Sequence, residues 1–269
     1  MINLVVALIH EARPLIDHFH MKKQIGRPPY TIYTNGEFNI IISGIGKLLA
    51  AAATAYLQAS SSADLTAWLN LGIAGHSQLE IGQGFIAHKV VDQATLDCYY
   101  PPLVFPFPCP TSDLETVDQP SSRFEKNRGY DMEVSGYYKI ALRTSTTELI
   151  HCYKVVSDNR VQRLEKISKD LVIRLISDRM NEIESILTML STEVKRHRRF
   201  HSSSSDFDEI TRQWHFTETQ KAQLARLLQR WHTMYGKRLL TQINLASYTN
   251  GKTLLEDLQK QLVSQAIVF

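Results

Sequence analysis

Two carboxylates lie where an ionisable side chain could do chemistry. Glu133 is in YDMEVSG (130–136), where a predicted helix begins, and Asp158 is in VVSDN (155–159), where a predicted strand ends. A carboxyl group in such a place can transfer a proton to or from a bound molecule. Each residue also fits a structural role, because Asp158 could cap a helix starting at Arg160 and Glu133 could interact with the dipole of its helix.

A third carboxylate and two glycine-containing turns accompany this pair. Glu11 lies where the apolar run at 4–9 passes into a helical stretch, within VVALIHEARPLI (5–16). The turns are SGIGK (43–47), before an alanine-rich segment, and NLGIAG (70–75), at a strand end. Glycine lets the backbone approach a ligand closely, so both turns are candidate ligand contacts.

The elements that must position these residues alternate between strand and helix patterns. Asn35 and Gly36 predict a hairpin, and the helical stretches lie at 12–19 and 47–59. Five prolines between Pro101 and Pro110 indicate that 97–125 form an irregular connection, which could cap a cleft. The pattern predicts an α/β sheet covered by helices on both faces. Predicted strands lie at 4–9, 30–33, 38–43, 67–71, 84–92 and 149–156.

The C-terminal part has a helical pattern. Apolar residues recur at helical spacing over 160–196, and the basic, serine-rich stretch at 196–206 is typical of a linker. Beyond it, Thr217 is a predicted N-cap, Gly236 a predicted helix end, and 253–266 a last helix. We therefore predict an α/β domain at 1–195, a linker at 196–206 and an all-α extension at 207–269.

Composition and charge restrict the class of protein. The chain has 269 residues, 43% of them hydrophobic, and no apolar run long enough to span a bilayer. The first residues lack a basic region and predict a buried strand rather than a signal peptide, and three cysteines without CxxC spacing indicate reduced thiols. A cytoplasmic protein is expected. Residues 160–269 carry a net charge of +6 and the rest −3, so the basic part is either a solvated helical surface or a contact with an anionic partner.

Read in order, these segments resemble the nucleoside phosphorylase/nucleosidase superfamily, most closely its 5′-methylthioadenosine/S-adenosylhomocysteine nucleosidases. The resemblance covers about residues 1–195 and rests on VVALIHEARPLI, SGIGK, NLGIAG and the pair YDMEVSG and VVSDN. It implies a phosphorylase/hydrolase-like mixed sheet flanked by helices. It also implies cleavage of the N-glycosidic bond of a purine nucleoside of the adenine type or a derivative, without a cofactor.

The resemblance assigns roles residue by residue. Asp158 would protonate the departing base, Glu133 would hold the ribose hydroxyls with Met132 beneath the sugar, and Glu11 would activate water. A proton donor is needed because negative charge develops on the base as the bond breaks. Further predicted ligand contacts are Ala74, Gly75, Ser157 and Gly44.

This sequence departs from the family pattern at two places. A gapless alignment puts Ala12, not Glu11, at the position of the catalytic base. The stretch between Gly75 and Glu133 is also shorter than in the family and lacks the part whose aromatic residue stacks on the base. We consider as substitutes Tyr99, Tyr100, Phe105, Phe107 and Phe124. These departures leave open an alternative: a nucleoside-binding or scaffold protein of the same fold with impaired catalysis.

Other partners are less well supported by the sequence. A phosphorylase needs a phosphate site, for which Arg13 alone is poor evidence, so hydrolysis is favoured over phosphorolysis. No metal site is predicted, because His197 and His201 lack the glutamate of a zinc-hydrolase helix. A nucleic-acid role for the basic extension has no accompanying motif, and a membrane partner is not expected. The superfamily's cores usually associate, so the resemblance implies a homo-oligomer.

Overall fold

A computed structural model describes residues 1–25, 29–60, 65–120, 126–161, 168–201, 203–237 and 239–264. The chain divides into two compact units, Met1–Val194 and Lys195–Phe269. None of the helices in the described ranges is both long and apolar enough to cross a membrane. The described strands are β1 Ile2–Val6, β2 Lys22–Lys23, β3 Thr31–Thr34, β4 Phe38–Ile42, β5 Ala67–His76, β6 Gly84–Asp92, β7 Cys98–Tyr99, β8 Thr111–Thr116, β9 Gly129–Asp131 and β10 Ile150–Asn159. The described helices are α1 Ile9–His18, α2 Lys47–Ala59, α3 Val134–Ala141, α4 Lys169–Ser177, α5 Met180–His201, α6 Ser203–Gln213, α7 Glu218–Tyr235 and α8 Gly251–Ser264.

The first unit is built on one mixed sheet, which confirms the predicted fold class. Strands β1, β4, β5 and β10 run parallel, with β1 between β4 and β5 and with β10 on the other edge of β5. The predicted hairpin at Asn35 and Gly36 joins β3 to β4 in an antiparallel pair. Strands β5, β10, β6, β8 and β9 pair in succession and close into a ring.

Side chains alternate between the two faces of the sheet, and each face has its own apolar core. In β1, Leu4 belongs to the core beneath α1, α4 and α5, whereas Val5 belongs to the core beneath α2 and α3. In β10, Tyr153 and Cys152 divide between the cores in the same way. This period of two is the geometry of a pleated strand, and it explains why the apolar runs of the sequence are nearly continuous.

The prediction of an irregular connection at 97–125 was wrong for β7 and β8. Strand β8 pairs in parallel with both β6 and β9. Its sequence, TSDLET, is mostly polar and lacks the apolar run by which the other strands were predicted. In the folded chain its polar side chains form hydrogen bonds and ion pairs. Asp113 lies 3.0 Å from the His88 ring, Arg128 donates to Glu115 and Thr116 donates to Asp131.

The second unit is a small helical bundle with a core of its own. Thr217 caps α7 in a capping box with Gln220, and Gly236 ends the helix in the left-handed conformation, as predicted. Trp231 stacks on Tyr235 with ring centroids 4.3 Å apart. The predicted linker at 196–206 is helical over 196–201 and 203–206, since α5 and α6 extend through it.

Candidate active site

The candidate site lies where four parallel strands end. The carboxyl ends of β1, β4, β5 and β10 meet at one edge of the sheet because the strands are parallel and adjacent. In open α/β sheets, ligands bind at this edge. Near these ends lie Gly75 and Asp158, in the last residues of β5 and β10, as well as Glu11 in the first turn of α1 and Gly44 in the turn after β4. Candidate residues that are far apart in the chain therefore lie along one edge of the sheet.

Glu11 is buried between the ends of β1 and β5. Its Oε2 accepts a hydrogen bond from the backbone N–H of Leu8 at 2.8 Å, and its Oε1 accepts one from Ile73 at 2.9 Å. Gly72 makes room for this carboxylate, since a Cβ at that position would lie 2.6 Å from Oε1. Burial raises the pKa of Glu11, although the nearby Lys154 ammonium and the two N–H donors act in the opposite direction.

Ala12, the residue that a gapless alignment places at the position of the catalytic base, does not line this site. It is fully buried in the apolar core beneath α1. Neighbouring residues on a helix point in different directions, so only one of the two can face the strand ends. That residue is Glu11.

Glu133 lies at the same edge of the sheet as Glu11, at the start of α3, which packs on the face opposite α1. It is the N-cap of α3, and its Oε1 accepts a hydrogen bond from the Gly46 N–H at 3.0 Å. Gly46 is itself the N-cap of α2 and has a φ of 108°, a conformation that favours glycine. The SGIGK turn therefore supplies a backbone donor to the carboxylate, with Met132 adjacent in the chain.

An ion pair lies beneath Glu133 that we did not predict. Lys154 of β10 is only 2% exposed, and its Nζ lies 3.1 Å from Asp131 Oδ2 and 3.9 Å from Glu133 Oε2. Asp131 also accepts hydrogen bonds from the backbone N–H groups of Glu133 and Val134. The available signal was a lysine inside an otherwise apolar strand, because a buried charge requires a partner.

This cluster has unusual electrostatics. Burial raises the pKa of Glu133 to about 7, with Lys154 lowering it and Asp131 raising it. Glu11 adds a further negative charge nearby. Among the described residues, three carboxylates thus share one ammonium. Glu133 therefore binds a proton more tightly than an exposed glutamate does.

Asp158 lies across β5 from Glu133. It pairs with Gly75 just after an irregularity in the β10 register between Val156 and Asp158, and such bulges redirect side chains. The Ser157 hydroxyl donates to Asp158 Oδ1 at 2.7 Å. The alternative role of Asp158, as the cap of a helix starting at Arg160, falls mostly on residues 162–167, which are outside the described ranges; the next described helix, α4, is capped by Ser168.

The remaining predicted contacts lie at the ends of β5 and β1. Gly75 also pairs with Tyr130 of β9, so the strands that lead to Glu133 and Asp158 flank β5 on opposite edges. With neighbouring strands about 4.8 Å apart, these two segments are roughly 10 Å from each other. Ala74 precedes Gly75 in β5, and Gly44 is fixed to the end of β1 by a bond from its N–H to the Ala7 carbonyl at 3.0 Å.

Two of the aromatic residues considered as base-stacking substitutes lie elsewhere. Phe105 and Phe107 pack on His151 at the start of β10, about 20 Å along the strand from Asp158. Tyr99 packs on Tyr138 of α3. Tyr100 is exposed with the Lys89 ammonium 6.0 Å from its ring, and Phe124 is outside the described residues.

Comparison with known proteins is informative at the level of structure. No protein-family model and no curated protein matches the chain. Its structure is similar to 5′-methylthioadenosine nucleosidase from Arabidopsis thaliana, with 17% identity over 72% of this chain and 95% of that one, and a TM-score of 0.56. It is also similar to the adenine complex of a 5′-methylthioadenosine/S-adenosylhomocysteine nucleosidase from Colwellia psychrerythraea. The identity is 17% over 71% of this chain and 94% of that one, and the TM-score is 0.56.

A structure of a different hydrolase is similar to the same extent. A futalosine hydrolase mutant from Helicobacter pylori is 14% identical over 70% of this chain and 98% of that one, with a TM-score of 0.55. These neighbours cleave different compounds by name, so the likeness concerns architecture. The chain has the fold of these nucleosidase and hydrolase structures.

Proposed function

We propose that this protein hydrolyses the N-glycosidic bond of a purine nucleoside of the adenine type or a derivative of one. The observation that carries the proposal is the placement of two buried carboxylates, Glu11 and Glu133, at the carboxyl edge of the sheet, with Asp158 across the end of β5. The nucleosidase names of the structural neighbours support the reaction class.

The three carboxylates have separate roles in this proposal. Asp158, oriented by the Ser157 hydroxyl, gives a proton to the base as the bond to the anomeric carbon breaks and its electron pair goes to the base. Glu11 takes a proton from the water whose oxygen attacks that carbon. Glu133 binds the two ribose hydroxyls, with Met132 beneath the sugar, and so orients the ring for departure.

The environment of Glu11 suits a general base. A catalytic base works best when its pKa lies near the pH at which it operates, and burial shifts the pKa of Glu11 upward. Its two backbone N–H donors hold the carboxylate in a fixed orientation. Ala74, Gly75 and Gly44 present backbone rather than bulky side chains, leaving space for base and ribose.

Hydrolysis fits this arrangement better than phosphorolysis. A phosphate anion would need cationic partners, but the described ammonium at the strand ends is already beside Asp131 and Glu133. Arg13, considered for this purpose from the sequence, has a side chain that is 51% exposed and lies 4.0 Å from Asp17 on α1. Water as the attacking group has no such requirement.

The proposal is tested by incubating the purified chain with a panel of adenine and hypoxanthine nucleosides and measuring free base by mass spectrometry. We expect base release from at least one adenine nucleoside, independent of added phosphate. D158N should reduce the rate by two to four orders of magnitude, the usual contribution of a general acid. D170N, on the exposed first turn of α4, is the matched control and should leave the rate unchanged.

Absence of release across the panel would contradict the proposal. If a nucleoside then raised the melting temperature without being cleaved, the alternative of a nucleoside-binding protein with impaired catalysis would be correct.

We further propose a cytoplasmic protein that forms homo-oligomers. The structure has three free cysteines, which is typical of a reducing compartment. Apolar side chains at the start of α2 are exposed, with Leu48 82% accessible and Ile45 and Leu49 about half accessible. A second copy of the chain would cover this patch, and light scattering of the purified protein checks the expected dimer or larger assembly.

A further inference from the structure

Lys154 is a buried charge whose function is not explained by its ion pair alone. Asp131, its partner at 3.1 Å, also accepts two backbone N–H groups and the Thr116 hydroxyl. Those three donors satisfy most of the hydrogen-bonding capacity of a carboxylate. If Lys154 served only to stabilise Asp131, its replacement by a neutral residue would therefore cost comparatively little stability.

Glu133 depends on the ammonium to a greater degree. Its carboxylate accepts the Gly46 N–H at 3.0 Å and, more weakly, its neighbour Met132 N–H at 3.3 Å. Lys154 Nζ lies 3.9 Å from its other oxygen. Ionising a buried carboxylate is unfavourable without a nearby opposite charge, and the Coulombic gain at such a distance is large in a dry site.

We infer that Lys154 is a positioning residue that keeps Glu133 ionised and aimed at the sugar, so that both carboxylate oxygens can accept the ribose hydroxyls. This inference rests on the role of Glu133 in the proposed function. A protonated Glu133 would carry a hydrogen on one oxygen, and that oxygen would be a weaker acceptor for the second hydroxyl.

Among the described residues, charged groups from three elements act on Glu133. Asp131 contributes a negative charge from β9, Glu11 another from α1, and Lys154 the positive charge from β10. Burial by itself would lower the pKa of Lys154, but the neighbouring Asp131 and Glu133 carboxylates raise it, so the lysine stays charged. Burial raises the pKa of the adjacent Cys152 thiol, which therefore stays neutral.

The test measures the ionisation of Glu133 directly in the ligand-free protein. Glutamate labelled with ¹³C at the side-chain carboxyl is incorporated, and the Glu133 resonance is identified by its loss in E133Q. The titration midpoint is then followed in the wild-type chain, in K154M, in D131N and in the double variant K154M/D131N. K139M, which removes an exposed lysine of α3, is the control and should titrate like the wild type.

We expect an ordered series of midpoints. K154M should raise the Glu133 midpoint by about one to three pH units, the usual effect of one nearby opposite charge. D131N should lower it, and K154M/D131N should lie between the wild type and K154M because both charges are removed. K154R should restore a midpoint close to that of the wild type. A merely structural role for Lys154 would not produce this order.

The double variant keeps the test decisive if K154M does not fold, because it does not leave the Asp131 carboxylate buried without its ion-pair partner. Equal midpoints in the wild type and in K154M, or in D131N and K154M/D131N, would overturn the inference, because each pair differs only in the charge at position 154. Failure of the proposed function would be recognised separately, as a wild-type chain that releases no base from any nucleoside. If base is released, K154M should also move the acidic limb of the pH–rate profile upward, whereas K139M should not.

Discussion

At the scale of single residues, Glu133 and Glu11 show how burial alters the properties of a side chain. Both carboxylates are withdrawn from water, and each accepts a backbone N–H group from a residue distant in the chain. For Glu133, burial raises the pKa to about 7. The folded state therefore binds this proton more tightly than the unfolded chain does, with a consequence for stability as well as for chemistry.

The pH dependence of stability follows from the direction of that shift. The stabilising contribution of a protonated Glu133 is fully present below pH 4.5, the ordinary pKa of a glutamate, and is lost as the pH rises through about 7. E133Q is uncharged at every pH and lacks this loss. Between about pH 5 and about pH 8, the free energy of unfolding of the wild type should therefore fall relative to that of E133Q by on the order of 3 kcal/mol. Urea unfolding at several pH values measures this difference. A difference that stays constant with pH would show that Glu133 titrates normally.

Gly72 provides a second residue-level prediction, because it leaves space for the Glu11 carboxylate. A methyl group there would lie 2.6 Å from Glu11 Oε1 and would force the carboxylate away from the Ile73 N–H. We expect G72A to reduce base release about as much as E11Q, by roughly two orders of magnitude or more. The double variant G72A/E11Q should be no worse than either single variant, since both act through one group. Additive losses would mean that Gly72 acts by another route.

At the scale of elements, helices α2 and α3 bring the SGIGK turn to Glu133. They pack so closely that a Cβ on Gly136 would lie 1.9 Å from the carbonyl oxygen of Lys47. The Lys47 side chain secures the same turn from the other direction, with its Nζ 3.0 Å from Asp92 Oδ1 and 2.9 Å from Asp118 Oδ1. The position of the Gly46 donor thus depends on the contact between two helices.

Substitution of Gly136 tests this dependence. The obstructing atom is backbone and cannot move alone, so G136A should push the helices apart and destabilise the α/β unit by about 1–3 kcal/mol despite the better helix propensity of alanine. Nucleoside affinity should fall as well, because Gly46 moves away from Glu133. K139A, on the exposed face of α3, is the control and should change neither quantity appreciably. Unfolding midpoints and calorimetric titration with the nucleoside measure the two effects, and unchanged affinity in G136A would contradict the proposed link.

At the scale of the whole molecule, the chain consists of two units with separate apolar cores. The α/β unit has one core on each face of its sheet, and the helical unit has its own core formed by α6, α7 and α8. Trp68 lies in the first unit, whereas Trp214 and Trp231 lie in the second. The candidate site is contained in the α/β unit.

Separate cores predict separable effects of mutation. L258A removes a fully buried side chain from the helical core and should destabilise that unit by about 2–5 kcal/mol while leaving base release by the folded protein unchanged. L187A, at an equally buried position in the α/β core, should lower the stability of the first unit instead. Tryptophan fluorescence during thermal unfolding, with circular dichroism beside it, follows the loss of each unit. Loss of activity in folded L258A would show that the helical unit contributes to the site.

Much of the fold could be predicted because its signals are local. The hairpin at Asn35 and Gly36, the cap at Thr217 and the helix end at Gly236 each depend on a few adjacent residues. Strand β8 was missed because its polar residues become favourable only beside distant partners such as His88 and Arg128. The helical conformation of 196–201 and 203–206 was missed because a basic, serine-rich composition resembles a linker when it is read without its neighbours.

The amino-acid sequence by itself determined which residues could do chemistry and which elements carry them. Periodicity and turn residues are properties of neighbouring positions, and together with the family resemblance of a few short segments they made Glu133 and Asp158 candidates. Only the tertiary structure decided that Glu11 rather than Ala12 faces the strand ends, and that Lys154 lies between Asp131 and Glu133. Those outcomes depend on the pairing of strands far apart in the chain, and the electrostatics of a buried site arise from groups that no local pattern brings together.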